Sequence, residues 1–429
     1  MKKTLKILIP AMLVSVLLCF SSCSIYDSAA QTNQSYMTRE EANKLLQGVQ
    51  ENVTVNGGDN YNITINSNEN SNLLAAAKGL LSAVSIESNF DITKTYAPSI
   101  FGSGGTKKTE EKAYGSGVIY NLDKDYGSAY IITNYHVVYM KGSDTANDVS
   151  DEIYVYLYGQ EYPEYAISAE FIGGSMNYDI AVLKVTNSDV LRKSKAAAAE
   201  FADSNETSIL DTAIAIGNPE ALGISATVGA VNVDSEYITM TSLDETGYIS
   251  LRVLRIDTAV NGGNSGGGLY NAAGKIIGIV NAKIVDTSVD NISYAIPSNV
   301  AKYVADNVIY YDNQNSSNDS VYRALIGVNV DVKSAGVNYD TETGKILKYE
   351  EVIVSSVNEG SASQGKLIVG DVIKSVTIDG VDYQIIRTFN VIDVMLTARQ
   401  NSKVVFHIER EGNAMDVEID MSSITLTKY

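Results

Sequence analysis

Cysteine and histidine are scarce in this 429-residue chain, which has two of each: Cys19, Cys23, His136 and His407. Cys19 lies inside an N-terminal apolar run and Cys23 at its boundary, so a chain trimmed there can close no internal disulfide and build no thiolate zinc site. Two imidazoles are too few for a histidine-rich metal centre, and the scattered Asp and Glu match no calcium-loop spacing, so no metal and no cofactor are expected. Basic charge is also short: 32 Lys and Arg against 51 Asp and Glu give a net charge of -19. That argues against nucleic acid, whose phosphates need clustered cations, and against membrane attachment through a basic patch. No phosphate-cradling glycine loop ends in Lys-Ser or Lys-Thr, so ATP is not implied. Five prolines, 33 glycines and 45% hydrophobic residues exclude both a collagen-like and a wholly disordered chain.

The length suggests two or three domains. Lys2, Lys3 and Lys6 precede an apolar run from Ile7 to Phe20, followed by Ser21, Ser22 and Cys23, which is the layout of a signal peptide over residues 1–22. Phe20-Ser21-Ser22-Cys23 resembles a bacterial lipobox, with Phe20 where an aliphatic residue is usual. The resemblance implies lipidation of Cys23; secretion without a lipid is the alternative. Residues 23–72 are rich in Asn, Ser and Gln and read as a polar tether. Within it, Thr38 with Glu41 makes a capping box ahead of Ala42, Leu45, Leu46 and Val49, which predicts a short amphipathic helix. Val53 and Val55, then Asn56-Gly57-Gly58-Asp59-Asn60, then Tyr61, Ile63 and Ile65 predict a hairpin, the alternative being accidental alternation in a linker.

Asn72 is placed to cap a helix over 73–81, and short strand-like runs then dominate to about residue 300, at 116–120, 129–133, 153–157, 180–185, 212–216, 224–233 and 275–280. Many short strands at this spacing mean an all-β barrel or sandwich assembly over 73–310. Residues 311–320 are polar and aperiodic and read as a linker. A smaller α+β domain fills 321–429, with strands at 352–357, 371–378 and 404–409 and a helix over 391–400.

Asn261-Gly262-Gly263-Asn264-Ser265-Gly266-Gly267 is the densest chemical signal: four glycines around one serine, between two strand-like runs. Such a loop can aim backbone N–H groups at a developing oxyanion while leaving a hydroxyl exposed. A serine nucleophile needs a base. His136 closes an apolar strand, whereas His407 lies beyond the linker, where a solvated or edge-strand histidine is the plainer reading. Asp179, opening the apolar run 180–183, is placed to hold the imidazole tautomer.

The order His, Asp, Ser is that of chymotrypsin-type proteases. The sequence resembles the HtrA (DegP-like) family of trypsin-fold serine proteases through Gly115-Ser116-Gly117-Val118-Ile119, Thr133-Asn134-Tyr135-His136-Val137-Val138, Tyr178-Asp179-Ile180-Ala181-Val182-Leu183-Lys184, Ala215-Ile216-Gly217-Asn218-Pro219, Gly262-Gly263-Asn264-Ser265-Gly266-Gly267 and Tyr294-Ala295-Ile296-Pro297-Ser298. The resemblance implies a mainly β chain, two six-stranded barrels with the active site between them, followed by an α+β PDZ domain. It implies Ser265 as nucleophile, His136 as general base and then acid, Asp179 as orienting carboxylate, and an oxyanion hole from Gly263, Asn264 and Ser265.

Two prolines usual in the family are replaced by Gly262 and Gly268, which suggests a looser loop. The position six before the nucleophile is Ala259, so the specificity pocket has no carboxylate at its base and should take a small or aliphatic side chain. Asn281, Ala282 and Lys283 are expected along its wall; strand alternation turns Lys283 to solvent, and turned inward it would admit acidic residues. Tyr322-Arg323-Ala324-Leu325-Ile326-Gly327-Val328 resembles the PDZ segment that receives a peptide carboxylate, with Leu325, Ile326 and Gly327 as binding residues. The resemblance further implies cleavage of unfolded or damaged exported proteins, recognition of peptide C-termini, and a homotrimer assembled through segments within 37–101. The alternatives are a peptide-binding, chaperone-like scaffold with little proteolysis, and a dedicated signalling protease.

Overall fold

The computed structural model describes residues 53–54, 62–63, 71–96, 105–219, 223–282, 292–314, 320–341, 344–422, 424 and 426–429, all of them within one compact unit. The signal segment 1–22, Cys23, the helix expected after Thr38 and pocket residue Lys283 lie outside the described residues. Strands β1 (Val53–Thr54) and β2 (Asn62–Ile63) pair antiparallel with Val53 opposite Ile63, as the alternation there predicts.

Helix α1 (Ser71–Ser82) leads into β3 (Ala83–Tyr96), β4 (Gly105–Asp123), β5 (Ser128–Thr133), the single turn α2 (Tyr135–Val138), β6 (Glu152–Leu157), β7 (Ile167–Ser175) and β8 (Ile180–Val185). These six strands close a barrel in the order β3-β4-β5-β8-β7-β6. Its interior is filled by Val84, Ile86, Ile119, Ile131, Val155 and Leu183, the inward members of alternating strands. A second barrel, β10-β11-β14-β13-β12-β9, is built from β9 (Thr212–Gly217), β10 (Ser225–Thr241), β11 (Tyr248–Ile256), β12 (Gly268–Tyr270), β13 (Ile276–Asn281) and β14 (Ser293–Pro297). Ala213, Val231, Leu254, Ile256, Leu269 and Val280 fill it.

Gly268 shows why one expected proline is missing. A Cβ there would stand 2.5 Å from Cε2 of Tyr270, two residues on and on the same face of β12. That ring is fully buried, and its hydroxyl is hydrogen-bonded to Ser82 Oγ at 2.9 Å. It also lies 3.1 Å from where a Cβ on Gly79 of α1 would be, so the helix docks by presenting a glycine to the ring. Burial raises the Tyr270 phenol well above its ordinary pKa, and it stays a neutral hydrogen-bonding group.

Helix α3 (Ser298–Asn313) follows the second barrel. It corrects the expected linker over 311–320, because residues 311–313 are helical. Their polarity has tertiary partners: Asp312 accepts hydrogen bonds from Lys184 Nζ at 2.7 Å and Tyr130 Oη at 3.0 Å. Ser320 bridges to Gly174 of β7.

The C-terminal domain holds β15 (Tyr322–Ala324), β16 (Val328–Tyr339), β17 (Ile346–Val357), β18 (Val372–Ile378), β19 (Val381–Gln384), α4 (Thr388–Val394), β20 (Val404–Arg410), β21 (Asn413–Ile419) and β22 (Leu426–Lys428). Its main sheet runs β16-β17-β18-β20-β21, which makes β16 an edge; β15 pairs with β22. Ile326, Val352, Val376, Val391 and Phe406 lie in its core. The helix expected over 391–400 starts three residues earlier and ends at Val394, although Met395, Leu396 and Ala398 beyond it are still buried. The side chain of Asn390 accepts N–H bonds from Ile386 and Arg387 and fixes the early start. His407, expected to be solvated or on an edge strand, is partly exposed to solvent but not on an edge. It sits on the inner strand β20, between Thr377 Oγ1 and Asp416 Oδ1, each at 2.7 Å, and takes no part in the barrel cleft.

Named side chains clamp this domain to the barrels. Arg252 of β11 pairs with Asp393 of α4, both nearly buried, and stacks 4.0 Å from the Phe389 ring centroid. Lys345 reaches Asp211 at 2.6 Å, and Lys348 reaches Asp234 at 2.7 Å. Arg323 of β15 donates to the Tyr178 hydroxyl at 2.8 Å.

Candidate active site

The three residues singled out by the His, Asp, Ser order converge between the barrels. Asn134 follows β5 at the start of α2, and its buried side-chain amide donates to the Asp179 carbonyl at 2.9 Å, tying the histidine turn to the loop before β8. Asp179 has φ of +48°, a left-handed conformation that Asp tolerates and that returns its side chain to the cleft. Its carboxylate is fully buried and accepts three hydrogen bonds: the His136 N–H at 3.0 Å, His136 Nδ1 at 2.7 Å and Asn281 Nδ2 at 2.7 Å. A carboxylate on Nδ1 places the proton there and leaves Nε2 as the base.

Asn281 therefore corrects the sequence reading. Instead of lining the pocket wall, its side chain is a buried second support for Asp179. Ala282, expected on the same wall, brings its N–H to Ser265 Oγ at 3.2 Å. The hydroxyl is held there, and no hydrogen bond joins it to His136 among the described residues. Free active sites are often loose at this contact and tighten with substrate.

Residues 261–264 form a tight turn in which the Asn264 N–H donates to the Asn261 carbonyl at 3.0 Å and Gly263 has φ of +93°. A positive φ at the third residue with this closure is a type II turn, which glycine satisfies without strain. The Asn264 N–H is thus consumed inside the turn, which removes Asn264 from the expected oxyanion hole. The N–H groups of Gly263 and Ser265 donate to no other described residue and remain as the candidate pair. Such donors contribute about 3 kcal/mol each where they face a developing oxyanion. Ala259 is half-buried, with its carbonyl accepting from Thr227 Oγ1 at 2.8 Å.

Sequence reasoning missed Asn134 and Ser116 as functional positions and gave Asn281 a pocket role in place of its bond to Asp179. Asn134 and Ser116 stand inside quoted motifs, but their partners, Asp179 and Gly263, lie 45 and 147 residues along the chain and show only once distant strands meet.

The two glycines that replace family prolines should respond oppositely. Gly262 faces open space, so Gly262→Pro is expected to stabilise by about 0.4–1 kcal/mol through the unfolded chain. Gly268→Ala drives a Cβ into Tyr270 and is expected to cost about 1–3 kcal/mol. Denaturant midpoints of both variants check this, and a neutral Gly268→Ala would show that the α1 contact yields freely.

The trypsin-like peptidase domain family matches residues 115–279, which contain the whole triad. The chain is 35% identical over 248 residues to the serine protease Do-like HtrA of Bacillus subtilis (strain 168), covering 57% of this chain and 49% of that one. It is 31% identical over 350 residues to the serine protease Do-like HtrA of Lactococcus lactis subsp. lactis (strain IL1403), covering 76% and 77%. The periplasmic serine endoprotease DegP of Escherichia coli (strain K12) is 29% identical over 326 residues, covering 75% and 59%. Thus the chain spans about half of the Bacillus relative and three quarters of the Lactococcus one. Among solved structures, the HtrA-type protease AlgW with decapeptide aligns at a TM-score of 0.47 and 23% identity, covering 82% of this chain and 98% of that one. With its two closed barrels, its buried Asp-His pair and a relative matched over three quarters of both lengths, this chain belongs to the HtrA family of trypsin-like serine proteases.

Proposed function

We propose that the chain is an extracytoplasmic serine endopeptidase that cleaves unfolded or damaged exported proteins through an acyl-enzyme. The observation that carries the chemistry is the Asp179 carboxylate on His136 Nδ1 at 2.7 Å, joined to the Ser265 side through Asn281, which bonds Asp179, and Ala282, whose N–H meets Ser265 Oγ. His136 Nε2 takes the Ser265 proton as Oγ attacks the scissile carbonyl. Gly263 and Ser265 N–H groups receive the oxyanion, and His136 returns the proton to the leaving amine. Water then repeats the sequence on the ester. Ala259 at the pocket base supports a preference for a small or aliphatic side chain before the cut.

The C-terminal domain serves, in this reading, as a PDZ domain that takes peptide C-termini. Gly327 has φ of +76°, and the N–H groups of Leu325, Ile326 and Gly327 donate to no other described residue, which suits a carboxylate cradle. The free edge of β16 suits an added peptide strand. Lipidation of Cys23 anchors the chain to the outer face of a bacterial membrane, and segments within 37–101 assemble a homotrimer. A peptide-binding scaffold with little proteolysis is the second reading, favoured by the Ser265 hydroxyl resting on Ala282 rather than on His136.

The purified chain is incubated with heat-unfolded casein, with and without hydrophobic C-terminal peptides, beside Ser265→Ala. Cleavage confined to the wild type supports the protease, and its fragments report the pocket preference. Equal inertness of both proteins under every condition would select the scaffold, and a monomer in sedimentation would remove the trimer.

A further inference from the structure

The two residues whose N–H groups form the candidate oxyanion hole are held through their carbonyls by one side chain and one backbone group of the same residue. Ser116, on β4 of the first barrel, is fully buried. Its hydroxyl donates to the Gly263 carbonyl at 2.6 Å, and its N–H donates to the Ser265 carbonyl at 2.8 Å. The hydroxyl's direction is settled by a third bond, because Oγ accepts the Asn218 N–H at 2.8 Å and so spends its proton on Gly263. The Ser116 carbonyl is in turn fixed by Thr133 Oγ1 at 2.7 Å, three residues before His136.

We propose that Ser116 is a positioning residue for catalysis: it sets the spacing and aim of the two oxyanion donors by holding Gly263 and Ser265 from the first barrel. The 263–264 peptide is pinned at both ends, its carbonyl by Ser116 and its N–H by Asn261. The turn's remaining soft motion is rotation of the 262–263 peptide, which carries the Gly263 N–H. Removing the hydroxyl frees the far side of that hinge and orphans a buried Asn218 N–H, while the Ser116–Ser265 bond survives. One donor is then loosened and the other kept. The nucleophile, the base and the substrate-binding surface are left in place, so the loss falls on the transition state and not on ground-state binding.

This inference rests on the protease reading. Full-length wild type, Ser116→Ala and Ser116→Cys are compared for kcat and KM on a fluorogenic peptide carrying a casein cleavage sequence. The affinity of a peptide aldehyde, whose adduct oxygen sits in the oxyanion hole, is measured beside them. Ser116→Ala is expected to lower kcat by about 10- to 100-fold, part of the 10²–10³ lost with a whole donor. KM should stay within about twofold, and aldehyde affinity should fall by the same factor as kcat/KM. Cys, a weak donor, should fall between. An unchanged kcat in the folded alanine variant, or a loss of kcat with aldehyde affinity intact, overturns the proposal. Should the alanine variant fail to fold, the cysteine variant decides by the same ratio. A wild type that neither cleaves nor is labelled at Ser265 by a fluorophosphonate removes the protease reading and this one with it.

Discussion

Asp179→Asn is expected to lower kcat by about 10⁴ with KM little changed, and Ser265→Ala by about 10⁶. The hydrogen bonds around Asp179 explain why an isosteric change costs so much here. Oδ1 accepts the His136 backbone N–H, and Oδ2 accepts both His136 Nδ1 and Asn281 Nδ2. An asparagine amide must put its NH₂ group at one of these two places. At the Oδ2 site it faces the Asn281 NH₂ group and forces Nδ1 to accept, which moves the imidazole proton to Nε2 and destroys the base. At the Oδ1 site it faces the His136 N–H, donor against donor. Neither orientation leaves a satisfied buried cluster. Single-turnover cleavage of the peptide substrate measures the loss, and circular dichroism confirms the fold. A loss of less than tenfold would show that the pair does not make His136 a base.

The second large effect lies far from the cleft. Arg252→Ala is expected to destabilise the attachment of the C-terminal domain by about 3–5 kcal/mol. Burial pushes the Asp393 carboxyl above its ordinary pKa while the Arg252 guanidinium pulls it back, and removing that arginine leaves burial opposed only by the charge of Arg323. The stacking on Phe389 is lost as well. The pH dependence follows from the raised value. A carboxyl that binds its proton more tightly folded than unfolded destabilises increasingly as pH climbs from the unfolded carboxylate range through its folded pKa. The penalty in Arg252→Ala should therefore be smaller near pH 4.5 than near pH 8. The paired change Arg252→Leu with Asp393→Leu should recover most of the loss, since it buries no charge. Denaturant unfolding at the two pH values, with limited proteolysis between the domains, measures both. A penalty that is equal at both pH values would mean that packing, not charge, holds the joint.

The triad was legible because its chemistry comes in contiguous motifs: His136, Asp179 and Ser265 each sit in a run of neighbours that announces strand, turn and exposure. What escaped the sequence depends on partners far along the chain. Asn281 looked like pocket lining because an amide ending a strand carries no sign of the aspartate 102 residues earlier that it serves. Asn264 looked like a donor because only the closed turn shows its N–H already spent on Asn261. Asp312 and Asn313 looked like linker because their polarity is answered by Lys184 and Tyr130 across the barrel. Residues 395–398 looked helical because burial continues past the end of the helix, in a chain that turns instead of coiling. The double barrel itself was legible as a class, from short strands at even spacing, whereas strand order and the tyrosine packed against Gly79 and Gly268 needed the assembled core.

Helix α3 ties these parts together in time as well as space. From its middle and its C-terminal end, Asp306 and Asp312 meet tyrosines of the first barrel, and its buried Val300 and Val304 lie on the stretch leaving the second. Between them Asn307 spans to the C-terminal domain, donating to the Tyr322 and Leu396 carbonyls and accepting from the Tyr322 N–H. A single helix of about 24 Å thus shares side chains with all three bodies. Melting of any one of them strips partners from the helix, so amide exchange along it is expected to be slow and to quicken when any of the three opens.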